Sequence, residues 1–218
     1  MRYSGNNIKL MVNDLMVNYT DAGPDEAPVI IFIHGYPLDK SMWDKQVEAL
    51  NGNFRVIAYD IRGHGESDAG NEAFSIDLFV ADLIGFMDAL TIHKVSLCGL
   101  SMGGGQAFYA GLGSLDCFAS VGVFSSGIFG GIANPTGKVF DADKEIPGLL
   151  SKAQQFNQKL KLFYISVGEQ DPRFEFTQKE VKKFQNNGLK VQFASFPGDH
   201  EWQVWRKSLY DFASRVFK

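Results

Sequence analysis

Two short alternating runs open the hydrophobic pattern, Ile8 to Val12 and Leu15 to Tyr19, split by Asn13-Asp14. Period-two alternation marks half-buried strands, and the Asn-Asp pair is a turn signal, so an antiparallel hairpin is predicted. After the loop Gly23 to Pro28 the pattern changes. Val29-Ile30-Ile31-Phe32-Ile33 is a continuous apolar run of strand length, which suits a central strand covered on both faces. Helix-length and strand-length runs then alternate: a helix over Ser41 to Leu50, a strand over Phe54 to Tyr59, and a long helix from Ser75, its cap, to Leu90. A strand at 94–98, a helix to about Leu112 and a strand over Phe118 to Phe124 follow. Ser125 to about Gly148 is rich in Gly, Pro, Asn and Asp and reads as irregular. Beyond it come a short helix over Leu149 to Gln158, a strand over Leu160 to Val167 and a helix over Phe176 to Asn186 stopped at Gly188. The last strand runs from Leu189 to Phe196. The last helix, about Trp202 to Phe217, repeats Trp202, Trp205, Leu209, Phe212 and Val216 at core-facing spacing.

This alternation predicts an α/β class fold: a mostly parallel sheet of about eight strands flanked by helices, in a single domain over 1–218. Functional groups then belong at the carboxyl ends of the strands. The length of 218 residues is ample for one buried core, and 45% hydrophobic with 21% charged residues is ordinary for a globular chain. A net charge of −4 without a basic stripe gives nucleic acid no electrostatic handle. No apolar run approaches the ~18 residues that span a bilayer. Met1 to Asn7 lacks the apolar core of a signal peptide, so a cytoplasmic protein, or the trimmed form of a secreted one, is expected. Cys98 and Cys117 sit in apolar runs and read as buried hydrophobes, and no metal-ligand spacing occurs.

Chemistry enters at Gly99-Leu100-Ser101-Met102-Gly103, a G-x-S-x-G pattern between the strand at 94–98 and the helix that follows. Such a sequence makes a sharp, strained strand-to-helix turn with the serine at its apex, and the glycines avoid collision across the turn. Ser101 then stands at a helix N-terminus, where free N–H groups favour developing negative charge. A nucleophilic serine needs a base, and the base needs an orienting acid. His200 alone of four histidines lies in a loop after the last strand. Asp171, in the loop after the strand before it, is the preferred acid, with Glu169 as the alternative. His64 reads as a support of its glycine turn, Arg62 as a partner for a nearby carboxylate, and Trp202 is close enough to His200 to contact substrate.

The order Ser101, Asp171, His200, together with His34-Gly35-Tyr36-Pro37, the D-x-R-G-H-G-x-S stretch Asp60 to Ser67 and the elbow Gly99 to Gly103, resembles the α/β-hydrolase superfamily over nearly the whole chain. The resemblance implies an oxyanion hole formed by the backbone N–H groups of Tyr36 and Met102, and leaves the Tyr36 ring open as a further contact. Up to about Met102 the chain is similar to the enol-lactonase and esterase branch. From Gly103 on, through Phe124-Ser125-Ser126 and Gly198 to Arg206, it is similar to esterases of the feruloyl and acetyl-xylan type. The chain therefore reads as a mosaic joined near the elbow. The first branch inserts a helical cap where this chain has only a short irregular excursion, 126–159, so no full cap domain is expected.

The expected activity is that of a serine carboxylesterase acting on small or short-chain acyl esters with no cofactor. Lactone hydrolysis and cofactor-free perhydrolysis are alternatives on the same residues. A ligand-binding protein on a hydrolase scaffold, or a mosaic with a misaligned and nearly inactive triad, is the alternative of another class. The expected partner is a small-molecule ester. The apolar surface left by a missing cap offers a face for a homodimer.

Overall fold

A computed structural model of the chain describes residues 5–130 and 139–216. The part of the irregular excursion at 131–138 and the expected helix end at Phe217 lie outside the described residues. The hairpin is β1 (Gly5–Val12) and β2 (Leu15–Ala22), and its turn residues Asn13 and Asp14 both take positive φ, 47° and 60°. That double left-handed turn matches the twist of the strands it joins. Next come β3 (Val29–Ile33), a 3-10 turn (Lys40–Trp43) running into α1 (Asp44–Leu50), β4 (Arg55–Tyr59) and α2 (Ile76–Ala89). The Ser75 side chain caps α2 by accepting from the Leu78 N–H. Then follow β5 (Val95–Leu100), α3 (Met102–Gly113), β6 (Phe118–Phe124) and two short helices, α4 (Ala142–Glu145) and α5 (Ala153–Lys159). The chain closes with β7 (Leu162–Gly168), α6 (Phe174–Asn186), β8 (Gln192–Phe196) and α7 (Trp202–Val216).

Among the described residues, eight strands join one sheet in the order β1-β2-β4-β3-β5-β6-β7-β8. β1 and β2 are antiparallel to their neighbours, and the rest are parallel. Alternate residues of β3 explain the two layers. Ile31 and Ile33 face a core shared with α2, α3 and α6 through Phe86, Phe108 and Phe184. Ile30 and Phe32 face a second core with Trp43, Val47, Leu209 and Phe212 from the α1 and α7 side. Ile31, Ile57 and Leu97 are fully buried, each contributing about 1.5–3 kcal/mol of apolar transfer.

β8 is shorter than its apolar run. Leu189 and Val191 are buried, but Leu189 N–H turns back to the Phe184 carbonyl as the cap of α6, with Gly188 at φ 83°. Packing in a cap consumes these residues before the ladder begins. Cys98 is buried and Cys117 half-buried, and neither is in a disulfide. No helix among the described residues is long and apolar enough to cross a membrane.

The loop after β4 is held by buried charge. The Arg62 guanidinium donates from Nε and Nη2 to the two carboxylate oxygens of Asp82 on α2, the second bond at 2.8 Å. Both side chains are nearly inaccessible. Without Asp82 the buried guanidinium keeps only the longer contact to the exposed Glu72 at 3.5 Å, and breaking such a pair costs about 3–5 kcal/mol. Asp82→Ala is therefore expected to lower the thermal midpoint by roughly 10 °C. The joint replacement Arg62→Met with Asp82→Leu is expected to cost clearly less, and thermal unfolding of the three proteins checks both statements.

Candidate active site

Ser101 follows the last residue of β5 and precedes the first residue of α3. Its backbone lies at φ 54°, ψ −111°, a sparsely populated region for a side chain other than glycine. Surrounding structure enforces it: the Ser101 N–H donates to the Phe124 carbonyl at 2.9 Å. A Cβ on Gly99 would lie 1.9 Å from the Gly103 carbonyl oxygen. This is the collision across the turn that the pattern predicts. At Gly103 the clash is with a different neighbour, the His34 carbonyl oxygen at 2.4 Å, because α3 starts hard against the end of β3.

That end of β3 carries His34-Gly35-Tyr36-Pro37. His34 is fully buried, and burial pushes its pKa below the ordinary value, against the hydrogen bond to Gly35. Nε2 accepts from the Ile61 N–H at 3.1 Å, which leaves Nδ1 to donate to the Gly35 carbonyl at 3.1 Å. His34 is thus a neutral strut between two loops. A Cβ on Gly35 would come within 3.3 Å of the Ser101 Cβ, so the Tyr36 peptide lies beside the serine. The Tyr36 ring is 69% exposed and meets His64 edge-on with centroids 5.9 Å apart. Met102 occupies the first position of α3, where an N–H has no acceptor within its own helix. Among the described residues, neither the Tyr36 nor the Met102 N–H has a hydrogen-bond acceptor.

The D-x-R-G-H-G-x-S stretch proves to be scaffolding for this loop. Asp60 Oδ1 accepts the Lys40 N–H at 2.7 Å, and Oδ2 accepts the Lys40 ammonium at 3.3 Å and the Glu66 N–H at 3.0 Å. Ser67 Oγ donates to the Asp60 carbonyl at 2.7 Å and accepts the Asn18 N–H at 2.8 Å. Arg62 finds its carboxylate in Asp82, as expected. The His64 Nδ1 contacts the Arg62 carbonyl at 3.1 Å, within its own turn. Lys40 was not singled out in the sequence. A lysine beside Asp39 gives no sign that its side chain will be buried as the partner of Asp60, twenty positions on.

At the far end of the sheet the loops after β7 and β8 are tied together, Glu169 N–H to the Phe196 carbonyl and Gln170 N–H to the Gly198 carbonyl. Across them His200 Nδ1 meets Asp171 Oδ2 at 2.9 Å. The carboxylate side chain is fully buried and the imidazole a quarter exposed. Asp171 Oδ1 accepts the Arg173 N–H at 3.0 Å and its Nη1 at 2.8 Å. Burial alone would raise the Asp171 carboxyl, but the hydrogen bonds from His200 and Arg173 outweigh it and hold the pKa below the usual carboxylate value. Glu169, the alternative acid, is exposed and accepts from Ser195 Oγ instead.

Of the two tryptophans on the predicted stripe of α7, Trp205 keeps to the core side and Trp202 does not. Trp202 is 39% exposed, so it belongs to the surface and not to the core stripe of α7. Trp205 packs edge-to-face on the His200 ring at 5.0 Å and against Trp202 at 6.1 Å. Helical spacing alone could not separate them: Trp202 stands at the first residue of α7, beyond the reach of the core.

Two family models match the chain. One is described as the α/β hydrolase fold and matches residues 28–125; the other is described as "Putative esterase" and matches residues 84–215. The two overlap across the elbow, in line with the change of resemblance there. Among curated proteins, 3-oxoadipate enol-lactonase 1 of Acinetobacter baylyi is 40% identical over 104 residues, 48% of this chain and 39% of that protein. A bifunctional esterase/perhydrolase of Acinetobacter calcoaceticus is 39% identical over 92 residues, 42% of this chain and 33% of that protein. The matched stretch thus spans about two fifths or less of these relatives. In structure, the enol-lactonase of Burkholderia xenovorans superposes with TM-score 0.72 at 20% identity, covering 97% of this chain and all of that one. Naproxen esterase of Bacillus subtilis gives 0.73 at 16%, covering 97% and 90%. The likeness in structure establishes the shared fold, and because the second family model covers more than half of the chain, the chain belongs to that esterase family of the α/β-hydrolases.

Proposed function

We propose that the protein is a serine carboxylesterase for small or short-chain acyl esters, with Ser101 as nucleophile, His200 as base and Asp171 as its orienting acid. The observation that carries the reading is the 2.9 Å bond from His200 Nδ1 to the buried Asp171 carboxylate. It fixes the imidazole tautomer, leaving Nε2 as the proton acceptor. Ser101 Oγ attacks the ester carbonyl as His200 Nε2 takes its proton. The tetrahedral oxyanion is received by the Tyr36 and Met102 N–H groups, the second reinforced by the start of α3. Donors of this kind contribute about 3 kcal/mol each to the transition state. His200 then protonates the departing alcohol, and water, activated by the same imidazole, releases the acid from Ser101. The single-domain reading, with 126–159 too short for a helical cap, leaves the site open and favours short acyl groups over long chains. Trp202, exposed two residues from His200, would then border the substrate.

A second reading, lactone hydrolysis by the same groups, is favoured by the 40% identity to an enol-lactonase over 104 residues. The chemistry differs only in that the leaving alcohol stays tethered to the acyl group. Rates on p-nitrophenyl acetate, butyrate and octanoate and on a five-membered lactone separate the two. The ester reading expects turnover of acetate and butyrate above octanoate, falling to background in Ser101→Ala. A lactone rate far above every ester assigns the second reading, and no serine-dependent turnover of either kind overturns both.

A further inference from the structure

Asp171 shares its carboxylate between two partners, and the division is strict. Oδ2 serves His200 at 2.9 Å; Oδ1 serves Arg173 twice, from its backbone N–H at 3.0 Å and from Nη1 at 2.8 Å. The segment Asp171-Pro172-Arg173-Phe174 explains how. An aspartate side chain that accepts the N–H two residues on makes an Asx turn, and proline between them presets the backbone. The Phe174 N–H closes the turn onto the Asp171 carbonyl at 2.8 Å, and α6 begins there. The guanidinium then folds back over the turn it has just left, with its side chain only 13% exposed. A surface arginine at a helix start gains little from an ion pair. Here the acceptor is a fully buried carboxylate, where charge-assisted bonds are stronger and geometrically demanding.

A carboxylate has two equivalent oxygens and rotates about one bond. With Oδ1 held by the Arg173 backbone N–H alone, the carboxylate can tilt about that bond so that the imidazole bond lengthens. Anchoring Oδ1 from two directions fixes the plane of the group and aims Oδ2 at the ring. We infer that Arg173 is a positioning residue of the triad, pinning one oxygen of Asp171 so that the other holds His200 in its working orientation. This rests on the proposed catalytic roles of Asp171 and His200. It adds a residue that touches neither substrate nor serine. Lysine can supply the charge but not the planar fork.

The inference predicts three linked results. In Arg173→Leu, kcat on p-nitrophenyl butyrate falls by about 10- to 100-fold, the scale of a small misplacement in a catalytic constellation, while KM is unchanged. In Arg173→Lys about half of that loss, on a logarithmic scale, is recovered. By proton NMR of the resting protein, the far-downfield resonance of the His200 Nδ1 proton, assigned by its loss in Asp171→Asn, is present in the wild type and in Arg173→Lys. It is broadened or absent in Arg173→Leu. Thermal unfolding of each variant identifies a protein that has failed to fold. In that case Arg173→Lys and its resonance decide. A sharp resonance with unchanged kcat in folded Arg173→Leu overturns the inference, as does a loss that appears wholly in KM. The resonance needs no substrate. A wild type that shows it but hydrolyses no ester would sink the esterase reading and leave the placement of Arg173 standing.

Discussion

His200→Ala is expected to lower kcat on short esters by about 10⁴- to 10⁶-fold, and Ser101→Ala by a similar factor, with little further loss when the two are combined. The size follows from the chemistry. A serine hydroxyl is a poor nucleophile unless its proton has a destination in the transition state, and His200 also has to return that proton to the leaving alcohol. The two residues act as one unit, so the second substitution removes nothing that the first has left. What survives is expected to come from ester binding and from the proposed oxyanion donors, the Tyr36 and Met102 N–H groups. Asp171→Asn should cost less, about 10⁴-fold, because it disturbs the tautomer and orientation of the base without removing it. Steady-state kinetics on p-nitrophenyl butyrate measures all four proteins. If His200→Ala keeps more than a tenth of wild-type kcat, the assignment of the base is wrong.

The largest effect on stability is expected at Gly99. A methyl group there would lie 1.9 Å from the Gly103 carbonyl oxygen, 2.3 Å from its carbon and 2.8 Å from the Gly104 nitrogen. All three are backbone atoms, and none can swing aside as a side-chain tip would. The residue cannot retreat either, because Gly99 is paired with Ile33 on one side and Val123 on the other. Relief requires opening the first turn of α3 or breaking the centre of the sheet. Gly99→Ala should therefore destabilise by about 4 kcal/mol or more, which lowers the thermal midpoint by roughly 10 °C or prevents folding. Gly113→Ala is the control. Nothing lies within 4 Å of a Cβ there, and Gly113 ends the same helix, so its midpoint should stay within a few degrees. Equal behaviour of the two variants would mean that the elbow does not have this geometry.

These two predictions rest on parts of the molecule with very different visibility in the sequence. The elbow is legible because its chemistry is local: strand, glycine, serine, glycine and helix follow one another along the chain. The hairpin, the central strand at Val29–Ile33 and the cap at Ser75 are legible for the same reason. Each signal depends on neighbours within a few residues. The pairing of His200 with Asp171 could be ranked from chain order, but Glu169 stayed open until geometry turned it toward Ser195.

What the sequence hid depends on residues brought together by topology. Lys40 with Asp60, Arg62 with Asp82 and Asp21 with Arg55 are buried ion pairs whose members lie 20 or more positions apart. The types are common and the spacings carry no period, so Arg62 could be assigned a carboxylate but not this one. Trp205 and Trp202 share a helix and a residue type. Only the position of the first turn of α7 decides that one touches His200 and the other faces solvent. The motif Asp60 to Ser67 shows the converse. It is conspicuous as a pattern, and its residues brace the loop that carries Tyr36 rather than react.

On the proposed mechanism Ser101 is a nucleophile activated by His200. The most direct measurement is reaction of the purified protein with a p-nitrophenyl alkylphosphonate, which traps an activated serine by forming a P–O bond as p-nitrophenolate leaves. The expected result is release of one equivalent of p-nitrophenol per chain, with the matching mass increase on the peptide that contains Ser101 and none in Ser101→Ala. A protein that stays unmodified under conditions that inactivate serine esterases, or that carries the label on another residue, would contradict the claim.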